Sequence, residues 1–256
     1  MKKLLLCTAA LTMFAGSVLV LDNKNAMADT QQNGNGVQTN TYFEVDNSQN
    51  STPAANPDNT GSELNNPDQF NVLPTKATGD LTIDAVPKQL DFGKTNENLE
   101  SNKVNENLKF GEGSSYYYAQ VSDFRKSHTG WNLTANMSSM NNIDPSLKGN
   151  FLQDSSITFM GNKVNGAYSN ASKDGANNGV NTTSPITLTP SSGSVSMMDA
   201  NNGSGSGTWL NQFNQINLNA NRSDSGKYEG RITWNLTEGP GTPGQTSNNT
   251  SNSQQQ

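Results

Sequence analysis

A chain of 256 residues with one cysteine, one histidine and a formal net charge of −6 is a poor partner for nucleic acid, because polyanions repel it. The same counts exclude a disulfide-stapled domain and argue against a zinc site. An ordinary apolar core must hold the fold together, and any attachment to an anionic surface must rest on apolar or hydrogen-bonding contacts.

Lys2 and Lys3 precede an apolar run over residues 4–21, and Ala26-Met27-Ala28 closes a short polar stretch. This is the layout of a secretory signal peptide, residues 1–28, with cleavage after Ala28. The cleavage site argues against a retained anchor, since the apolar run is near the lower limit for a span. Cleavage removes Cys7, and the sequence after it offers no transmembrane segment. Residues 29–76 are dominated by Asn, Gln, Ser, Gly and Pro. Such a segment cannot bury enough apolar surface to offset its chain entropy and is expected to be disordered, although 41–45 (TYFEV) suits a strand or a docking segment.

Residues 77–240 show the period-two pattern of strands. Leu81, Ile83 and Ala85 alternate with polar residues. A second run at 115–124 has its period obscured by three consecutive tyrosines. Trp131, Leu133, Ala135 and Met137 alternate clearly, as do Ile157 and Phe159, Ile186 and Leu188, Ile216, Leu218 and Ala220, and Ile232, Trp234 and Leu236. The best helical candidate, 95–110, places Leu99, Val104 and Leu108 near one face, but its asparagines are poor helix formers. Residues 161–184 and 190–207 read as long Asn/Gly/Ser loops. The expected architecture is all-β: one β-sandwich domain over 77–240, followed by a disordered tail, 241–256.

Catalytic groups are scarce. His128 precedes a Thr-Gly turn signal and reads as an exposed loop residue, and abundant serines make a Ser-His-Asp match uninformative. A glycosidase carboxylate pair is not visible in sequence. Lys173–Gly179 reads as a turn rather than a calcium loop, Gly203–Gly207 precedes no helix, and 73–79 (LPTKATG) lacks the spacing and tail of a sortase signal. No metal site and no cofactor are implied.

Trp-Asn-Leu-Thr occurs twice, at 131–134 and 234–237. A tryptophan on the apolar face of a strand is usually core; the alternative is a stacking platform for sugars or a hot spot for a protein partner. Repetition alone does not separate these readings. Asp123 and Arg125, two apart in an extended segment, point the same way. They suit a structural ion pair, with orientation of the loop into Trp131 as the functional alternative.

These residues fall in an order that resembles the WxL domain of surface proteins from low-GC Gram-positive bacteria. The resemblance spans about 81–240: Phe92-Gly93, Asp123 and Arg125, Trp131-Asn132-Leu133, Tyr228, Thr233-Trp234-Asn235-Leu236 and Pro240. The short polar N-terminal region departs from the large effector region many such proteins have, and marks a small, WxL-only member. The resemblance implies a secreted protein attached non-covalently to the cell wall through peptidoglycan. It also implies surface complexes with a DUF916-type membrane-anchored partner and other WxL proteins, and no enzymatic activity. An adhesin for host glycans or matrix proteins, and a wall glycosidase, are the competing readings.

Overall fold

A computed structural model of the chain describes residues 19–21, 26–28, 30–33, 36–39, 51–94, 103–108, 117–147, 150–221 and 226–247. The chain divides into two compact units, Met1–Asp46 and Asn47–Gln256. In the first, Leu19–Leu21 pairs antiparallel with Ala26–Ala28, and Thr30–Asn33 pairs with Gly36–Thr39. The leader assigned to 1–28 rests mainly on residues outside the described ones. The 41–45 segment and the tail beyond 247 also lie outside them.

The second unit is all-β. Its strands in chain order are β1 (Ala55–Asn56), β2 (Asn59–Glu63), β3 (Val72–Pro74), β4 (Leu81–Pro87), β5 (Lys103–Asn107), β6 (Tyr117–Asp123), β7 (Trp131–Met137), β8 (Asn141–Asn142) and β9 (Gln153–Met160). They continue as β10 (Lys163–Ala167), β11 (Val180–Asn181), β12 (Ile186–Leu188), β13 (Ser194–Ala200), β14 (Gly207–Phe213), β15 (Gln215–Asn221), β16 (Tyr228–Glu229), β17 (Ile232–Glu238) and β18 (Thr246–Ser247). Three antiparallel sheets share one core. Their strand orders are β10-β14-β6-β4-β3, β11-β13-β7-β17 with β18 added to β13, and β12-β9-β15-β5. The inward residues of all three, among them Trp131, Leu133, Phe159, Leu188, Met197, Met198, Phe213 and Ile216, form a single buried cluster. Among the described residues the helical turns are short 3₁₀ pieces.

The structure departs from the sequence pattern where both faces of a strand are covered. All seven residues of β6 are buried. Tyr117, Ala119 and Val121 face the main core. Tyr118 joins a second cluster with Ala54, Ala55, Leu64, Val72, Ala85, Ala167 and Leu210. The tyrosine run shows no alternation because neither face meets water.

The cover for that second face is the stretch expected to be disordered. Residues 51–76 instead lie across the β10-β14-β6-β4-β3 sheet, held by backbone polar groups that the sheet's side chains satisfy. The Ala55 N–H donates to Gln120 Oε1 at 2.8 Å, Gln120 Nε2 donates to Pro53 O at 2.9 Å, and Tyr118 Oη donates to Ala55 O at 2.8 Å. Gln212 Nε2 donates to Pro57 O at 2.7 Å. The strap needs few apolar residues because its partner supplies both the apolar floor and the hydrogen bonds.

The 190–207 stretch expected as a loop contains β13, and 161–184 contains β10 and β11. In β13 the register against β7 shifts between Leu133 and Thr134, so Met197 and Met198 are both fully buried. The bulge breaks the alternation that would have marked the strand. The described part of the helical candidate, Lys103–Asn107, is strand β5 paired with β15. The start of the tail is also ordered, since β18 pairs with β13.

Beneath the strap, Asp84 is 1 % exposed and accepts from Thr82 Oγ1 at 2.6 Å, Ser122 Oγ at 2.7 Å and Gln120 Nε2 at 3.0 Å. Burial raises its carboxyl to about 6, against the opposing pull of these bonds. The folded pKa lies above the unfolded one, so the folded state binds more protons between about pH 4 and 6 and loses stability as pH rises through that window. Two pKa units correspond to about 3 kcal/mol. Denaturant unfolding at a series of pH values should show this decline. Asp84→Asn should reduce it, leaving the share of any other carboxyl raised by burial, and an unchanged slope in that variant would remove Asp84 as a source.

Candidate functional site

The two Trp-Asn-Leu-Thr copies are neighbours. β7 and β17 pair antiparallel without a break, setting Leu133 opposite Leu236, Ala135 opposite Trp234 and Trp131 opposite Glu238. β7 lies inside its sheet, between β13 and β17, whereas β17 ends it. The same four letters therefore meet different surroundings.

Trp131 is 0 % exposed, and its indole Nε1 donates to Gly205 O at 3.2 Å. Gly205 has φ +82°, and a Cβ there would lie 2.3 Å from Ala200 Cβ and 2.6 Å from Trp131 Nε1. Only glycine lets that loop close over the ring. Leu133 is also fully buried. Trp234 is half-buried. Its ring lies 6.4 Å from Phe213 at 23° and 6.4 Å from Phe159 at 76°, while the two phenylalanines meet edge-on at 4.8 Å. Leu236 is half-buried against the same core.

The intervening asparagines diverge as well. Asn132 is 9 % exposed and accepts from Ser196 Oγ at 2.5 Å. The chain beyond Pro240 crosses it so closely that a Cβ on Gly241 would fall 2.3 Å from Asn132 Cγ. Asn235 is exposed, and its carbonyl accepts from Thr134 Oγ1 at 3.3 Å. Opposite Asn132, Asp199 is almost fully buried, with Oδ1 unpartnered. Burial raises its carboxyl to about 6, opposed by hydrogen bonds from Asn181 and the Gly241 N–H.

Asp123 and Arg125 form the clasp of the β6–β7 loop. Asp123 is 0 % exposed. It receives Arg125 Nε on Oδ1 and Nη2 on Oδ2, both at 2.9 Å, and the Arg125 backbone N–H at 3.0 Å. Nη2 also donates to Gly130 O at 2.8 Å, one residue before Trp131. Nη1 lies 3.1 Å from Glu238 Oε1, which also accepts from Thr129 Oγ1 at 2.7 Å. The hydrogen bonds to Asp123 hold the guanidinium above its ordinary pKa. One arginine thus joins the end of β6, the start of β7 and the end of β17. Glu238, Thr129 and Gly205 were not singled out in the sequence. Glu238 was accessible there only as the residue that closes the second Trp-x-Leu strand.

The remaining motif residues lie elsewhere. Tyr228 is half-buried in β16, paired across to Asn142. Phe92 is half-buried against the core, and Pro240 is exposed. His128 is exposed in a left-handed turn (φ 45°), its carbonyl accepting from the Gly203 N–H. Among the described residues no three His, Cys, Asp or Glu side chains converge as metal ligands, and no helix is long and apolar enough to cross a membrane.

This geometry assembles Asp-x-Arg and two Trp-x-Leu strands into one packed unit, and the family model described as "WxL domain surface cell wall-binding" matches residues 22–240. The chain belongs to the WxL family. As a WxL protein it is a cell-surface, wall-binding molecule in which the domain takes up nearly the whole chain. The family match begins well before residue 77 and takes in the strap. No significant match was found among curated proteins or among solved structures.

Trp131, Leu133 and the Asp123–Arg125 clasp are structural in their contacts, whereas Trp234 and Leu236 are half-buried and Asn235 is exposed. One sheet face is distinctive: Asn217 at its centre is 7 % exposed, and the residues around it are more open. On the β12-β9-β15-β5 sheet, Asn107, Asn217, Thr158 and Thr187 form one row, with Asn105, Asn219 and Ser156 beside it. Asn217 Nδ2 donates to Asn105 Oδ1 at 2.7 Å and to Asn107 Oδ1 at 3.1 Å, Gln215 Nε2 donates to Asn107 Oδ1 at 2.6 Å, and Asn219 donates to Asn217. The Thr158 and Thr187 hydroxyls lie 3.1 Å apart. Between these residues there is no charge, only amides and hydroxyls held in register.

Proposed function

We propose that this chain is a secreted, non-catalytic protein held to the Gram-positive wall by non-covalent contact with peptidoglycan, and that the amide-and-hydroxyl face of the β12-β9-β15-β5 sheet makes the contact. That face is the observation that carries the reading. An acidic protein on an anionic wall gains little from charge, and a neutral ladder of donors and acceptors suits the hydroxyl and acetamido groups of a glycan strand. The wall-binding family description supports it.

The test is co-sedimentation with purified peptidoglycan freed of teichoic acid and protein. Asn105→Ala with Asn219→Ala should weaken binding by about tenfold, the loss expected from one or two hydrogen bonds, while the thermal transition stays cooperative. Wild-type protein that remains in the supernatant overturns direct wall binding. If it sediments only together with a DUF916-type partner, attachment runs through that protein instead.

A further inference from the structure

We propose that β17 is a docking edge and that its occupant is β17 of a second copy of this chain, paired antiparallel about Trp234. This does not depend on the wall-binding reading.

The edge is open in a specific way. Ser138 N donates to Arg231 O, and Gly239 N donates to Gly130 O. These two bonds set the phase of the β7–β17 ladder, so residues 231, 233, 235, 237 and 239 bond to β7. The backbone N–H and C=O groups of Ile232, Trp234 and Leu236 then point away from it. No described strand pairs with them.

Other sheet ends are guarded. β10 is covered by the loop behind it, through Gly166 N to Lys173 O at 2.9 Å and Gly175 N to Val164 O at 3.0 Å. β3 is three residues long and ends in Pro74, β11 is two residues long, β12 is three, and β5 has Lys103 and Glu106 within it. These are the usual protections of an edge strand. β17 has seven residues, an unbroken register and no proline or charge from Ile232 to Thr237.

What fits there is set by the strand's two faces. Ile232, Trp234 and Leu236 are half-buried on the core side, and β4 packs against β17, with Leu81 and Ile83 half-buried on the same core. Thr233, Asn235 and Thr237 are exposed on the other face. The occupant must be a strand with apolar residues on one face and neutral polar residues on the other. β17 itself has that pattern. Pairing about Trp234 sets Ile232 opposite Leu236 of the second copy, Trp234 opposite its counterpart, and Thr233 opposite Asn235. Charge selects the direction. Arg231 ends the strand on one side, exposed and without an ion pair among the described residues, and Glu238 ends it on the other. Antiparallel pairing brings unlike ends together, whereas parallel pairing would bring like ends together.

The experiment is sedimentation equilibrium of the purified chain over a wide concentration range. Wild-type protein should form a dimer that dissociates on dilution. The double variant T233K/N235K faces lysines with lysines across the two-fold. It should weaken dimerisation at least about tenfold with its melting transition retained, since both positions are exposed and like charges directly opposite oppose pairing. Mixing it with T233E/N235E should restore a dimer containing one of each. A wild-type chain that stays monomeric throughout overturns the proposal. So does a lysine variant that dimerises like wild type, or a mixture that does not recover.

Discussion

Replacing Trp131 with alanine is expected to destabilise the protein by about 4 kcal/mol, the range for a large aromatic removed from a closed core. Trp131 is fully buried on an interior strand, so the ring's volume is not recovered by solvent, and the surrounding sheets relax only in part. The loss is a large fraction of the stability of an ordinary domain. Trp131→Phe should recover most of it, leaving about 1 kcal/mol for the lost indole bond to Gly205 O. Trp234→Ala should cost about 2 kcal/mol, because that ring is only half-buried and has less apolar area to lose. Urea unfolding of the three variants checks the order. A Trp131→Ala protein within 1 kcal/mol of wild type on this scale would show that the ring is not a core element.

Replacing Arg125 with alanine is expected to cost about 3 kcal/mol, within the range for removing one member of a buried ion pair. The change leaves the Asp123 carboxylate buried with one backbone N–H in place of a bidentate partner, and it frees Gly130 O and Glu238. Arg125→Lys should recover less than half, since one ammonium cannot span both carboxylate oxygens and the Gly130 carbonyl. Urea unfolding of the two variants beside wild type checks the order. An Arg125→Lys protein as stable as wild type would show that the two-pronged contact with Asp123 and the bond to Gly130 O are not what hold the loop.

Much of the fold was legible because strand alternation is local. The runs at Leu81, Trp131, Ile157, Ile186, Ile216 and Ile232 all became strands, although in β4 and β7 the polar residues between the apolar ones are buried as well. The exceptions have specific causes. β6 hid its period because the strap covers its second face, and β13 hid it because a bulge sets Met197 and Met198 side by side in buried positions. The strap itself was not legible. Residues 51–76 are polar and irregular in sequence, and their hydrogen bonds come from Gln120, Tyr118 and Gln212, far along the chain. Of the clasp, Asp123 and Arg125 were visible as a pair, but Glu238 joins them only once β17 lies beside β7.

The sequence by itself determined that this is an all-β chain and that it bears the WxL mark, because both are properties of residue order at short range. It could not rank the two tryptophans, since each sits in the same Trp-Asn-Leu-Thr. The tertiary structure separated them. β7 has a strand on either side and Gly205 above its tryptophan, so Trp131 is sealed. β17 ends its sheet, so Trp234 is only half-buried and no described strand pairs with its backbone N–H and C=O. Burial depends on what covers a face, and here the cover comes from residues tens of positions away.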